Sequence, residues 1–288
     1  MNRFFEAQSG VPTFDRNCIH SDCFHALTRA PREDIEVPDV RYAGRCPESG
    51  DELSLGPTPT VIAAAEELRD YLDSCRQNTS GFSTAHLLEP AAGKMFGVME
   101  CRCGAGELGI LRAFSGEWDT WETPIGWVPS SDNLEEYAAD RLETETRVAE
   151  FTRQIDELKQ LPTSKPIRRQ IEMIKIERGK WSRALTEKIH AAYRFENALG
   201  EVLPLTEVDT GSSRPPTGMG DCCAPKLLQA AIRNGLTPLG MVEFWWGAPS
   251  AVHPRSEGVY YGSCREKCYP ILGFLLRGVD AAQVTAVS

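Results

Sequence analysis

Along Thr60–Leu72 the apolar residues Val61, Ala65, Leu68 and Leu72 recur at intervals of three and four. That spacing predicts an amphipathic helix, with Thr60 as its cap. Lys94–Cys101 and Leu108–Phe114 are rich in β-favouring residues and are joined by Gly104-Ala-Gly106, which predicts a β-hairpin. From Asp132 to about Gly200 the chain becomes charged and helix-forming, interrupted once at Leu161-Pro-Thr-Ser-Lys-Pro166. Val148, Phe151, Ile155 and Leu158 make one apolar stripe there, and Ile167, Ile171, Ile174, Trp181, Leu185 and Ile189 make a facing one. Two such stripes predict a long antiparallel helical hairpin. The remainder reads helix, strand, loop, helix. Asp221 is placed to cap the first of these helices, which tolerates Pro225 in its first turn and ends at Asn234-Gly235. Thr237–Trp246 is a mostly apolar strand, and Ile271, Leu272, Phe274 and Leu275 mark a final helix from about Arg265 to Arg277.

The first fifty residues hold Pro, Asp, Arg and Cys without sustained periodicity and read as extended and loop-rich. The expected organisation is a loop-rich segment over 1–55, an α+β part with a hairpin over 56–131, the helical hairpin over 132–200 and a Cys-rich α/β part over 201–288. The fold class is α+β, with a three-layer α/β/α-like C-terminal part into which the helical hairpin is inserted.

Charge narrows the partners. With 31 Lys and Arg against 41 Asp and Glu, the formal net charge of -10 opposes nonspecific binding of nucleic acid over the whole surface. Any RNA contact is therefore local. The second arm of the hairpin is basic, and Arg168, Arg169 and Lys175 are its candidate contacts to RNA or a partner. An antiparallel pair with complementary charged flanks explains the same pattern without any ligand. The N-terminus has no long apolar run and no later segment is apolar enough to span a bilayer, so a cytoplasmic, reducing setting is expected, with no membrane partner. In that setting the ten cysteines favour thiol or metal roles over disulfides.

Four of those cysteines converge on two predicted helix starts: Cys222 and Cys223 at one, Cys264 and Cys268 at the other. Thiols at helix N-termini ionise readily, and clustered thiolates bind a soft or borderline metal such as zinc or act as nucleophiles. A zinc site in which Cys264 and Cys268 are joined by Cys222 or Cys223 follows from this spacing. Three thiolates leave one position open, whereas use of both adjacent cysteines closes the site into a structural one. The alternative is that some of the four are simply small buried apolar residues. Asp221 and Glu243 are the candidate catalytic carboxylates. Asp221 reads equally as a helix cap, while Glu243 in an apolar strand is unusual because an unpaired buried carboxylate is costly. Cys18-Ile-His-Ser-Asp-Cys-Phe-His25 offers four further ligand groups at a spacing that matches no zinc module.

The cysteine arrangement resembles, at a distance, that of the zinc nucleoside and nucleobase deaminases. There a His or Cys at one helix start and two cysteines at the next hold a water-activating zinc. That resemblance implies a deaminase-like C-terminal part and a hydrolase acting on a nucleobase, nucleoside or related amide. Two departures stand against it. The family's catalytic Glu lies two residues after the first ligand, where this chain has Ala224 or Pro225, and its cysteine pair is separated by two residues rather than three.

A second resemblance covers about residues 55 to 278. Pro57-Thr-Pro with Ala63-Ala-Ala-Glu-Glu-Leu-Arg-Asp-Tyr-Leu72, Gly93-Lys-Met-Phe-Gly-Val98, and Leu108-Gly-Ile-Leu-Arg-Ala-Phe-Ser-Gly116 are followed by the charged hairpin. Then come Gly218-Met-Gly-Asp-Cys-Cys-Ala-Pro-Lys-Leu-Leu228, Pro238-Leu-Gly-Met-Val-Glu-Phe-Trp-Trp-Gly247 and Cys264-Arg-Glu-Lys-Cys-Tyr-Pro-Ile-Leu-Gly273. In order and spacing these segments resemble the N-terminal accessory region of large bacterial RluA-type pseudouridine synthases. The synthases' His-Arg-Leu-Asp motif is missing, so the resemblance implies a stand-alone, RNA-modification-associated module rather than a synthase. RNA or an RNA-modifying enzyme is the partner it suggests, and a second copy of the chain is a further candidate.

Overall fold

The computed structural model describes residues 22–27, 35–78, 81–118, 123–130, 137–208, 215–250, 254–279 and 284–287. They form a mixed α/β structure. In chain order the strands and α-helices are β1 (His25–Ala26), β2 (Tyr42–Arg45), β3 (Glu52–Leu55), α1 (Pro59–Ser74), β4 (Lys94–Arg102), β5 (Leu108–Phe114), α2 (Ala138–Lys159), α3 (Lys165–Ala192), β6 (Arg194–Glu196), β7 (Val202–Pro204), α4 (Leu205–Val208), α5 (Cys223–Arg233), β8 (Thr237–Trp246), α6 (Tyr269–Leu275) and β9 (Val284–Val287). Asp132–Arg194 with Pro204–Thr206 make one compact unit, and the rest of the chain makes the other.

The larger unit is built on a four-stranded antiparallel sheet in the order β1-β5-β4-β8. β4 and β5 form the predicted hairpin, with Phe96 opposite Phe114 and Arg102 opposite Leu108. β8, from the far end of the sequence, pairs with the other edge of β4, placing Gly97 opposite Glu243 and Met95 opposite Trp245. The segments 56–131 and 201–288 thus contribute neighbouring strands to one sheet.

Side chains alternate across a strand, so β4 and β8 present two different faces. Phe96, Val98, Val242, Phe244 and Trp246 pack with Val61, Ala65, Leu68 and Leu72 of α1 and with Trp118 and Trp127. Phe82 stacks on both tryptophans, with ring centroids 4.5 and 5.4 Å apart. Each large apolar side chain buried there contributes roughly 1.5–3 kcal/mol. The residues of the other parity, Gly97 and Glu243, meet α5. A Cβ at Gly97 would lie 2.6 Å from the Cβ of Cys223 and 3.0 Å from Leu227 Cδ1, so α5 reaches this strand only because the position is glycine. The packing of α6 is fixed in the same way. A Cβ at Gly44 would lie 2.2 Å from Gly273 N, and one at Gly273 would lie 2.0 Å from Arg45 O, so β2 and α6 pack backbone to backbone.

Several boundaries differ from expectation for identifiable reasons. Thr58, not Thr60, caps α1: its Oγ1 accepts from Val61 N–H at 3.2 Å, and Pro59 takes the first helical position, where its missing N–H costs nothing. Thr58 Oγ1 also donates to the buried Glu100 carboxylate at 2.5 Å. Cys222 rather than Asp221 occupies the N-cap of α5, with no side-chain bond to the helix. The last helix is shorter than Arg265–Arg277, because 265–268 are turns and Pro270 sits in the first helical turn. The N-terminal segment is not wholly loop. β1 joins the main sheet, and β2, β3 and β9 make a separate three-stranded one. Strands of two to four residues are too short to show a period.

In the smaller unit, α2 and α3 are joined across Gln160–Ser164, and Ser164 caps α3 by accepting from Ile167 N–H at 3.4 Å. Lys188 Nζ meets Asp140 at 2.8 Å, Arg178 reaches Thr152 Oγ1 at 3.2 Å, and the Arg147 guanidinium lies 5.7 Å from the Trp181 ring centre. Positions therefore fall along one helix as they rise along the other. Arg168, Arg169 and Lys175 are exposed, as are Met173 and Ile176. No helix among the described residues is long and apolar enough to cross a membrane.

His25 gives the larger unit a pH dependence. Its Nε2–H donates to Gly126 O at 2.8 Å, and the same carbonyl accepts from Arg112 Nε at 2.9 Å. Burial, followed by the nearby Arg112 charge, lowers the His25 pKa to about 4, against its ordinary 6.5. The folded state therefore holds the ring neutral while the unfolded chain takes up a proton, so stability is full above pH 6.5 and falls as pH drops towards 4. The loss is roughly 2–3 kcal/mol. Denaturant unfolding of wild type and His25→Gln across pH 7 to 4 should show the wild type losing this increment relative to the variant. Parallel curves would refute the assignment.

Candidate metal centre

The segment leading to Cys264 is fixed before it reaches the cysteines. Residues 258–261 run along β8: Gly258 N–H donates to Trp245 O at 2.8 Å, Trp245 N–H to Val259 O at 3.1 Å, and Tyr261 N–H to Glu243 O at 3.0 Å. On the other side, Ser263 N–H donates to Arg41 O at 3.0 Å, and Ala43 N–H donates to Ser263 Oγ at 3.1 Å. Tyr42 ties the two together. Its fully buried hydroxyl donates to Tyr261 O at 2.8 Å and accepts from Glu243 N–H.

Two helix starts then converge. Cys222 is the N-cap of α5 and Cys268 the N-cap of α6, while Cys264 lies one turn earlier, its carbonyl accepting from Tyr269 N–H at 3.0 Å. The sulfurs of Cys222, Cys264 and Cys268 all lie within 4.8 Å of one another, with Cys264 and Cys268 3.5 Å apart. Tetrahedral zinc with Zn–S bonds near 2.3 Å requires sulfurs roughly 3.8 Å apart, so the triad fits a metal ion of that size. Soft thiolate donors suit zinc or another borderline to soft ion.

Cys223 stands outside the triad. Successive helical residues point about 100° apart, and where Cys222 faces the cluster, Cys223 faces the sheet. Its sulfur donates to Met95 O at 3.3 Å and lies 3.7 Å from Ala113 O. Burial and the nearby Glu243 push its pKa well up, which keeps it a neutral thiol. None of the nine described cysteines is in a disulfide.

The triad shares charge unevenly. Cys264 is held far below the ordinary thiol range by hydrogen bonds from Cys222 and Cys268 and by the backbone N–H groups of Cys268 and Lys267. Cys222 is pushed up through its bond to Cys264, and Cys268 through its bonds to Cys222 and Cys264. One negative charge is therefore accepted readily and the next two are resisted, as expected for coupled groups. A dication among the sulfurs would reverse that resistance and draw off the remaining protons.

Glu243 lies beside this cluster. It is 4% exposed, and its Oε1 accepts from Ala224 N–H at 2.8 Å in the first turn of α5. Burial raises its pKa to about 8; the Ala224 hydrogen bond opposes the rise, the Cys264 charge adds to it and the Arg255 charge opposes it. Asp221 does not join the triad: its main chain accepts from Gly116 N–H at 2.8 Å and donates to Gly218 O at 3.2 Å.

The other candidates disperse. Cys18 and His20 lie outside the described residues, and His25 is bound to Gly126 O. His86 meets the edge of Trp118 with ring centroids 5.0 Å apart, and His190 is buried. Sequence reading missed two residues that shape the site, Tyr42 and Arg255. Tyr42 is 201 positions from the backbone N–H it receives, and no local pattern marks such a pairing. Comparison of the chain with protein-family models, curated proteins and solved structures finds no match.

Proposed function

We propose that this chain is a zinc-dependent hydrolase of deaminase-like kind, replacing the amino group on an amide- or amidine-type carbon of a nucleobase, nucleoside or related amide with oxygen from water and releasing ammonia. One observation carries the reading: the Glu243 carboxyl is bound to Ala224 N–H. In the zinc deaminases the catalytic Glu stands two residues after the first ligand, which here is Ala224 if Cys222 is that ligand. The acid is missing from that position in the sequence, and Glu243 would supply it from the neighbouring strand.

Cys222, Cys264 and Cys268 would hold the metal and leave its fourth position free, since no fourth His, Cys, Asp or Glu joins them among the described residues. Zinc bound there supplies Lewis acidity and lowers the pKa of water. Glu243 then holds and moves the proton. With Oε1 occupied by Ala224 N–H, Oε2 is the atom that takes a proton and returns it to the departing nitrogen. The three-layer, deaminase-like arrangement belongs to the same reading. It is supported by α1 packing against Phe96, Val98, Val242 and Phe244 while α5 meets Gly97 and Glu243.

Elemental analysis of protein purified without a metal-binding tag should give about one zinc per chain. The metal should be lost in Cys222→Ser, Cys264→Ser and Cys268→Ser and kept in Cys223→Ser. Metal-free protein, or loss with Cys223→Ser alone, would overturn the site. In a nucleoside and nucleobase panel read by ammonia release, Glu243→Gln should keep its zinc and lose roughly 10²–10⁴-fold in rate. An unchanged rate would remove Glu243 from the chemistry.

A second reading, an RNA-modification-associated module with structural zinc, is favoured by the exposed cations of α3. Arg168 and Arg169 have no carboxylate partner among the described residues, and Lys175 lies 3.6 Å from Glu172. On that reading, replacing all three with Gln should weaken binding to single-stranded RNA and reduce the slope of log K against log salt by about 2. An unchanged slope would exclude this strip.

A further inference from the structure

Arg255 is a cation that the protein has oriented without neutralising. Its guanidinium lies 4.7 Å from the ring centre of Tyr261 and 5.9 Å from that of Trp245, and its Nη1 is 3.0 Å from Met95 Sδ. A thioether is a weak acceptor, and the group carries five N–H donors. No carboxylate lies within ion-pair distance of it among the described residues. Aromatic faces hold a guanidinium flat while leaving its hydrogen-bonding edge free, which is how arginine is set up to meet carboxylates and phosphates.

Its position ties it to the metal centre. Met95 and Trp245 are cross-strand partners, and the next same-face pair along the ladder is Gly97 and Glu243. Same-face pairs are about 7 Å apart along a strand. Arg255 therefore stands one pair beyond Glu243, near enough for its charge to be felt by that carboxyl, as is the charge of Cys264. Glu243 thus lies within the electrostatic reach of both the thiolate cluster and this guanidinium.

We propose that Arg255, with Trp245 and Tyr261 beside it, binds an oxyanion carried by the substrate, so that the hydrolase acts on an amine- or amide-bearing compound with a carboxylate or phosphate about one strand pair from the reacting carbon. This rests on the hydrolase reading for what happens at the cysteines, but not for the binding of the anion. The reacting end of the molecule meets Glu243 and the triad, and the anionic end is held at Arg255 by charge-assisted hydrogen bonds.

The test compares probes that differ only in the anion: cytidine with cytidine 5′-monophosphate for phosphate, and benzamide with 4-carbamoylbenzoate for carboxylate. Affinities are measured calorimetrically on the purified full chain, on Arg255→Gln and Arg255→Lys, and on Cys264→Ser, with thermal unfolding of each variant as a check on folding. The anionic member of at least one pair should bind ten-fold or more tightly than its neutral partner. That preference should vanish in Arg255→Gln, survive in part in Arg255→Lys and persist in Cys264→Ser. The pair that shows it identifies the anion. Equal affinity within both pairs, absence of binding at millimolar concentration, or a preference unchanged in folded Arg255→Gln would each overturn the proposal. An anion preference that depends on Arg255 without any ammonia release would support the subsite and defeat the hydrolase reading, so the two fail separately.

Discussion

A carboxyl group buried in a sheet is stable only if its surroundings supply what water would have supplied, and the partners of Glu243 organise much of the larger unit. Its side chain accepts from the first turn of α5, which fixes where that helix begins. Its own N–H is taken by the buried hydroxyl of Tyr42, and its carbonyl accepts from Tyr261 N–H, which fixes the segment that carries Cys264. One strand residue is thereby joined to both helix starts that bear the cysteines. Leaving any of these groups unpaired costs roughly 1–3 kcal/mol, so the positions of β2, β8, α5 and the 258–264 segment are interdependent rather than separately chosen.

Glycine makes those hydrogen bonds reachable. Without a Cβ at Gly97, the Cys223 backbone comes close enough to β4 for Ala224 N–H to meet Glu243, and Gly44 against Gly273 brings α6 down onto β2. The close approach also decides which cysteine is available. Cys223 is pressed against Met95 O and kept neutral by burial, whereas Cys222 at the N-cap turns to Cys264 and Cys268. Adjacent cysteines, chemically alike, are thus separated into a packing residue and a member of the thiol triad by about 100° of helical rotation.

Elements with long periods were legible in the sequence. α1, the β4–β5 pair, α2, α3 and β8 each extend through seven or more residues, enough for an apolar pattern to declare itself. β1 and β2, of two and four residues, carry no such pattern; β1 pairs with the distant β5, and β2, although it pairs with the nearby β3, is seated by α6 from far along the chain. The site divides in the same way. Cys264 and Cys268 announce themselves by a spacing of four, and Glu243 by its charge inside an apolar strand. The exclusion of Cys223 and the parts played by Tyr42 and Arg255 are set by tertiary contacts that no local window contains. Asp221 misled for a related reason: it has the composition of a cap, but the chain turns one residue later and gives the N-cap to Cys222.

The thiol cluster and the carboxyl act on one another electrostatically. Within the triad the hydrogen bonds from Cys222 and Cys268 favour charge on Cys264, and burial followed by that charge raises the Glu243 pKa. A dication bound by three thiolates would leave a net charge near -1 at the cluster, similar to that of a lone thiolate. The electrostatic field at Glu243 would therefore change little if a metal bound, and desolvation would continue to favour its protonated form. A carboxyl whose pKa is raised to about 8, chiefly by burial, can take a proton and give it back near neutral pH. The sheet supplies that condition by burying Glu243 while leaving one of its oxygens without a backbone partner.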